Sequence, residues 1–270
     1  MSVADLFSGM FPKYFDFSIS RMFFTVIDLL FFPYKILKSY FVEKQSSRRY
    51  FYQNSFRLVG KIFLKSFIGT TIAALIIGAV VISQVQIHLA EYLSFDLLRR
   101  IMIYLLFWEI CPGLVFIVQW TRFGTTLTMD LAGMRRNQSL SAIVSMGINI
   151  EFYFLLPRLL GLIVACLLLT TWACITSIFF GHILCLLLFE GSSFIPLVDI
   201  FNALTVRDFL VFLLKSVCFS TILLSTQSYF SLTASNILVD TNYLNARAAS
   251  YNFILFLFFN LMLSAWGLAL

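Results

Sequence analysis

Glu109 and Pro112 stand three residues apart in an otherwise apolar run, and they are the first residues in this chain able to do chemical work. An ionisable group near the middle of a membrane helix costs roughly 2.5–3.5 kcal/mol on insertion scales, so it turns toward a polar cavity, a partner or the bundle interior. Pro112 lacks a backbone N–H and can open the helix, which frees a carbonyl nearby. Together they suit either a headgroup-facing or gating element, or a structural pair that joins two spans by hydrogen bonds. Gln84, Gln86 and His88, at the outer end of an earlier apolar run, are further candidates for polar contact with a lipid headgroup. Lys215 lies near the start of a later run, where its stem is expected to snorkel to the interface.

The second working region is the polar island Arg122–Arg158, 37 residues that mix glycines, hydroxyls and charges of both signs between long apolar runs. Leu131, Met134, Leu140, Ile143, Val144 and Gly147 recur at three- and four-residue spacing, which predicts one amphipathic helix with Arg135, Arg136, Asn137 and Ser141 turned away from its apolar stripe. Such a helix on a membrane face can seat in the groove of a partner protein. The alternative is a surface helix that merely links two spans.

Other chemistries find no foothold. Gly60–Lys61 is followed by Ile62 and has no glycine five positions earlier, so no phosphate-binding loop is present, and neither GxSxG nor HExxH occurs. His88 and His182 lie on different apolar runs, so no metal site is expected. The five cysteines, Cys111, Cys166, Cys174, Cys185 and Cys218, fall within apolar runs without a CxxC pair and are expected to pack as small apolar side chains. The chain is therefore expected to be no enzyme and to hold no cofactor of its own, with any nucleotide bound by another subunit.

The elements that must position these residues follow from composition. At 60% hydrophobic and 12% charged, with a mean hydropathy of +0.93, the chain departs from soluble domains, which carry about 25% charged residues. Runs free of charge at Ser66–Ala90, Ile101–Thr121 (interrupted by Glu109), Leu159–Phe189, Ser216–Val239 (with Phe209–Leu214 preceding Lys215) and Ala248–Leu270 predict about five transmembrane helices, each long enough for a hydrocarbon core of about 30 Å. The runs are solidly apolar, unlike the alternating segments of a transmembrane barrel. The fold class expected is thus an all-α membrane protein.

Lys and Arg number 13 in segments 1–58, 122–158 and 234–250 against three in 84–100 and 188–208. That bias places the N-terminus and the polar island in the cytoplasm. The net charge of +6 is read as topological, with no nucleic-acid partner. Within residues 1–58, the apolar run Met22–Tyr34 is too short to span and contains Asp28. Aromatics interleaved with Lys35, Lys38, Lys44, Arg48 and Arg49 predict an interfacial helix there, the alternative being a weakly folded arm. Residues 59–270 are expected to form the transmembrane domain.

The island and its flanks resemble the MlaE (YrbE) permease family, roughly ELGPxxxxxxxxGRxGxxxxAELGxMRxTEQIDALxxMGxDPxxYLxxPR. Glu109, Pro112, Arg122, Gly124, Leu131, Met134, Arg135, Ala142, Met146, Gly147, Tyr153, Pro157 and Arg158 match it without a gap, and Leu140 and Ile143 are conservative exchanges. Gly78 and Gln84 resemble the family's first span, and Lys215 its fourth. Departures fall at Asp130, at Asn137–Gln138–Ser139, at Asn149–Ile150 and at Trp108, and several replace carboxylates by neutral groups.

The resemblance implies the permease subunit of an ABC transporter in a bacterial inner membrane, moving phospholipid or a related lipid as a homodimer or a heterodimer with a paralogue. It implies a cytoplasmic ATPase that binds ATP and a periplasmic MCE-domain protein as partners. Asp130, Met134, Arg135, Arg136, Asn137, Gln138, Leu140, Met146 and Gly147 would form the ATPase-coupling surface. Gln84, Gln86, His88, Glu109 and Pro112 would face lipid, and Gly78, Arg122, Gly124, Pro157 and Arg158 would be structural. Two other readings are a permease-like scaffold that transports nothing and a secondary transporter. The second usually shows internal repeats and several intramembrane charges, which are lacking here.

Overall fold

The computed structural model describes residues 19–42, 48–89, 92, 94–188, 204–233 and 241–269. Among these residues all regular structure is helical, as the solid apolar runs require. Seven helices follow in order: α1 (Ile19–Val42), α2 (Arg48–Leu89), α3 (Phe95 to Arg136), α4 (Ser139–Ser145), α5 (Glu151 to Leu188), α6 (Val206–Thr233) and α7 (Thr241–Ala269). Five are long and apolar enough to cross a membrane, over Gln53–Val85, Asp96–Arg136, Glu151–Cys185, Val206–Thr233 and Thr241–Leu268. The chain is an all-α integral membrane protein. At 42 residues and about 1.5 Å per residue, α2 is roughly twice the length of the hydrocarbon core, so its ends extend into the headgroups or beyond.

Two helices depart from the α pattern where the sequence disturbs their hydrogen-bond ladders. In α3, π-type turns run over Tyr104–Ile110 and Trp120–Gly124, and α5 opens with one over Glu151–Leu155. The first ends with the Cys111 N–H bonding to the Leu106 carbonyl, five residues back, directly before Pro112. Pro112 can offer no N–H to the carbonyl of Trp108, four residues earlier. That carbonyl therefore points out of the ladder and needs another donor.

Among the described residues, buried apolar side chains form three clusters, the largest of which has an aromatic centre. Phe116 of α3 stacks on Phe256 of α7 with ring centroids 4.7 Å apart, and lies 5.5 Å from Phe219 of α6. Leu127, Leu131, Leu155, Leu159 and Leu223 continue this core toward the α4 end. The most extensive helix pair is α2 with α5. Their backbones meet closely at Gly78, where a Cβ would sit 2.4 Å from the Ser177 Cα, and at Gly181, where it would sit 2.9 Å from the Gly78 carbonyl oxygen. Ser177 Oγ donates to the Ala74 carbonyl at 2.9 Å, and Trp172 Nε1 to Thr71 Oγ1 at 3.0 Å, so the pair is also pinned by hydrogen bonds. A Gly78→Val substitution must force the two backbones apart. Such overpacking typically costs about 1–3 kcal/mol, and a lower unfolding temperature in detergent is the expected measurement.

The amino-terminal helix α1 is packed rather than free. Leu29 and Ile36 are buried in the central core, Phe32 meets Tyr229 edge-on at 6.2 Å, and the Tyr229 hydroxyl donates to Asp28 Oδ2 at 3.2 Å. Lys35 pairs with Glu151 of α5 at 3.1 Å. Residues 19–42 thus form a helix seated on the bundle. Lys44 lies outside the described residues, as do the side chains of Arg48 and Arg49. The division expected at residue 58 falls inside α2.

The single amphipathic helix expected over Leu131–Gly147 is instead two pieces. α3 ends at Arg136, Gln138 takes a left-handed conformation with φ 57°, and α4 starts at Ser139. Leu131 therefore belongs to the bundle core, Leu140 and Ile143 are half-buried, and Val144 is exposed. The apolar residues of the expected stripe face different surroundings because the turn at Asn137–Gln138 resets the helical phase.

Candidate functional site

The Trp108 carbonyl freed by Pro112 finds its donor in Lys215. Nζ lies 2.6 Å from that oxygen, 3.0 Å from Glu109 Oε1, 2.9 Å from Asn260 Oδ1 and 2.6 Å from Ser264 Oγ. An ammonium has three protons, so it shares them among four acceptors. Asn260 Nδ2 donates to Glu109 Oε2 at 2.6 Å, and the Ser264 hydroxyl donates to Glu109 Oε1. Asn260 and Ser264 are four residues apart on α7 and so share one face of that helix. The network joins α3, α6 and α7 through one acid, one base and two neutral polar groups.

Lys215 is 0% exposed, while the Glu109 side chain keeps 24% of its surface accessible. The snorkelling expected for Lys215 is corrected here. Its ammonium turns inward, where the Trp108 carbonyl, the Glu109 carboxylate and the Asn260 and Ser264 oxygens take the place of water around it. Glu109 is thus bonded to residues of both α6 and α7. Of Glu109 and Lys215, Glu109 is the one whose side chain remains partly accessible.

A second polar seam lies nearer the α4 end. Thr128 of α3 donates to Gln227 Oε1 of α6, and Thr226 donates to Asn252 Oδ1 of α7. Gly124 allows the close approach, since a Cβ there would meet Gln227 Nε2 at 3.2 Å. The same three helices are thus cross-linked at two levels, by Lys215 at one and by the Thr128–Gln227 and Thr226–Asn252 pairs at the other.

At the α4 corner the polar island forms a set of tethers. Arg135 Nη1 donates to the carbonyls of Ser231 and Leu232 at 3.3 and 3.0 Å, satisfying acceptors that the last turn of α6 leaves open. Arg158 pairs with Asp130 at 3.1 Å and lies over the Phe154 ring at 3.7 Å. Ser139 Oγ donates to the Met134 carbonyl at 2.7 Å across the α3–α4 turn. The corner then leaves by Gly147, whose φ of 74° is a conformation that L side chains rarely adopt. Gly147→Ala is expected to cost about 1 kcal/mol, read as a lower unfolding temperature, although nothing lies within 4 Å of the Cβ it would add.

These tethers hold α4 so that Val144, 58% exposed, and Met146, 73% exposed, project from the segment between two spans, beside exposed Arg136, Asn137 and Gln138. Of the other expected coupling residues, Asp130 and Gly147 are exposed and Met134, Arg135 and Leu140 are half-buried. Gln84 and His88 are exposed near the end of α2, and the Gln86 side chain lies outside the described residues. Glu109 draws its partners from α6 and α7 instead. Gly78, Gly124 and Pro157 are buried at helix contacts, whereas Arg122 is exposed. Asn260 and Ser264 escaped the sequence reading, although two polar residues at a four-residue spacing in an apolar helix are a visible signal. Among the described residues no group of three or more His, Cys, Asp or Glu side chains is placed to hold a metal ion.

Comparison with known proteins adds two findings. The family model described as "Permease MlaE" matches residues 56–266. A probable ABC transporter permease protein, ycf63 of Porphyra purpurea, is 27% identical over 127 residues, 47% of this chain and 48% of the relative. The match spans about half the length of that curated relative.

Proposed function

The chain belongs to the MlaE permease family, and from that premise we propose that it is the membrane-spanning subunit of an ABC transporter that moves lipid. ATP is bound and hydrolysed by a separate subunit, and no covalent chemistry occurs on this chain. The observation that carries the reading is α4, a short helix outside the spans that exposes Val144 and Met146 beside cationic Arg136. Apolar side chains exposed at a polar corner gain by seating in a partner's groove. Closure of the ATPase subunits would press on α4, and Arg135 and the Asp130–Arg158 pair would carry that displacement into α6, α3 and α5.

Two apolar surfaces suit the lipid side of the work. On α2, Leu64, Ile68, Ile72, Ile76 and Val80 form an exposed stripe at four-residue spacing, and α7 exposes Phe253, Leu257, Phe258, Leu261 and Trp266. Two copies, or this chain and a paralogue, meet so that these faces enclose lipid tails, with Glu109 reachable from the enclosed side. Phospholipid is the cargo class and an MCE-domain protein its acceptor or donor in the inner-membrane setting, with the N-terminus and α4 on the cytoplasmic face.

The test is purification of the tagged chain from its own membranes in mild detergent, with mass spectrometry of the proteins and lipids that follow it. A P-loop ATPase, an MCE-domain protein and a stoichiometric phospholipid are expected. Recovery of the chain without an ATPase and without lipid would favour the scaffold.

A further inference from the structure

At the end of the bundle remote from α4, the start of α3, the start of α6 and the end of α7 line an open cavity of about 580 Å³. Its walls are mainly apolar, with Leu105 and Leu268 among them, yet two guanidinium groups line it, Arg100 and Arg207. Arg207 is held in place: it donates to the Gly267 carbonyl and lies over the Trp108 ring at 5.7 Å. Its Nε is buried and has no hydrogen-bond partner. Arg100 is exposed at the rim.

The one acid in the wall, Asp208, is occupied by neutral donors. Its Oδ1 accepts from Trp108 Nε1 at 3.0 Å, and its Oδ2 accepts from the Thr205 N–H and hydroxyl at 2.8 and 2.7 Å. With Asp208 set against Arg100 and Arg207, the cavity carries a net positive charge within walls suited to hydrocarbon. Arginine offers phosphate a planar fork of N–H donors, and two guanidinium groups on one apolar cavity suit an anionic headgroup that carries a hydrocarbon tail.

We infer that this cavity binds the phosphate headgroup of an anionic phospholipid between Arg100 and Arg207, with the first part of an acyl chain along Leu105 and Leu268. The site is complete within one chain and is separate from the Glu109–Lys215 network, although the Trp108 side chain faces the cavity while its carbonyl serves the network. It deepens the lipid reading by naming a headgroup class and rests on that reading for its biological sense, but its binding can be measured without ATP or any partner.

The experiment is native mass spectrometry of the purified full chain in detergent, titrated with phosphatidylglycerol, phosphatidylcholine or inorganic phosphate. Retention of phosphatidylglycerol above phosphatidylcholine is expected, and Arg100→Gln should lower it about tenfold, the scale of one lost charge-assisted contact. Arg207→Gln should do the same. Because Arg207 also tethers Gly267, Arg100→Gln at the exposed rim keeps the test decisive if the Arg207 variant fails to fold. Equal retention of phosphatidylglycerol by wild type and Arg100→Gln would overturn the inference. So would its displacement by an equal concentration of inorganic phosphate, since the tails would then contribute nothing. Either failure leaves the transporter reading standing, because that reading is tested by ATPase recovery and lipid movement.

Discussion

Lys215→Met is expected to destabilise the protein by about 3 kcal/mol, one of the two largest single effects anticipated here. The substitution removes the base of a buried pair and leaves Glu109 facing Asn260 and Ser264 without a cation. Breaking a buried ion pair by deleting one partner typically costs about 3–5 kcal/mol, and the lower end applies because Glu109 keeps some contact with its surroundings. The Trp108 carbonyl also loses its donor, which Pro112 cannot replace. Thermal unfolding in detergent measures the loss. Adding Glu109→Gln to Lys215→Met should recover part of it, since an amide in place of the unpaired carboxylate removes the buried charge. Lys215→Arg should not rescue, because the site is fully enclosed and shaped for a compact ammonium. If Lys215→Met unfolds at the wild-type temperature, the network holds no spans together.

The second large effect concerns assembly. Val144→Asp combined with Met146→Asp should weaken association with the ATPase subunit about 100-fold while leaving the unfolding temperature of the isolated chain close to wild type. Burying an aliphatic side chain contributes about 1.5–3 kcal/mol, and two such anchors at the centre of a contact reach that factor before the new charges are counted. Both residues are exposed, so the fold does not depend on them. Co-purification of the ATPase with wild type and variant reads the difference. Undiminished recovery would assign α4 to linking spans alone.

The two working regions differ in how far they could be read from residues alone. The spans were legible because a bilayer imposes a length and an apolar composition that a charge count reveals. Pro112 was legible too: the missing N–H predicts a freed carbonyl, and Trp108 supplies it. What receives that carbonyl was not, because periodicity orders side chains around one helix and is silent about which face meets which across a bundle. Lys215 sits near a span start, where snorkelling is the ordinary outcome, and only the packing of α6 against α3 and α7 turns it inward. Asn260 and Ser264 were overlooked for the same reason, their partners lying at least 45 residues away on other helices.

The α4 corner shows the complementary failure. A heptad-like spacing from Leu131 to Gly147 reads as one helix, but Gln138 in the left-handed region breaks it, and glutamine gives little warning of that conformation. Gly147 was identified through resemblance and its positive φ now supplies the physical reason for glycine there. Asp130 and Arg158, assigned separately to coupling and to structure, prove to be one ion pair between α3 and α5.

The most direct test of the central claim is lipid movement itself. The permease, reconstituted in vesicles with the ATPase subunit that co-purifies with it, is given a fluorescent phospholipid and an acceptor. ATP-dependent transfer that disappears in the Val144→Asp, Met146→Asp variant, with the variant still inserted and folded, is the predicted result. ATP hydrolysis by the wild-type complex with no lipid transferred, or transfer that proceeds equally in the variant, would contradict it.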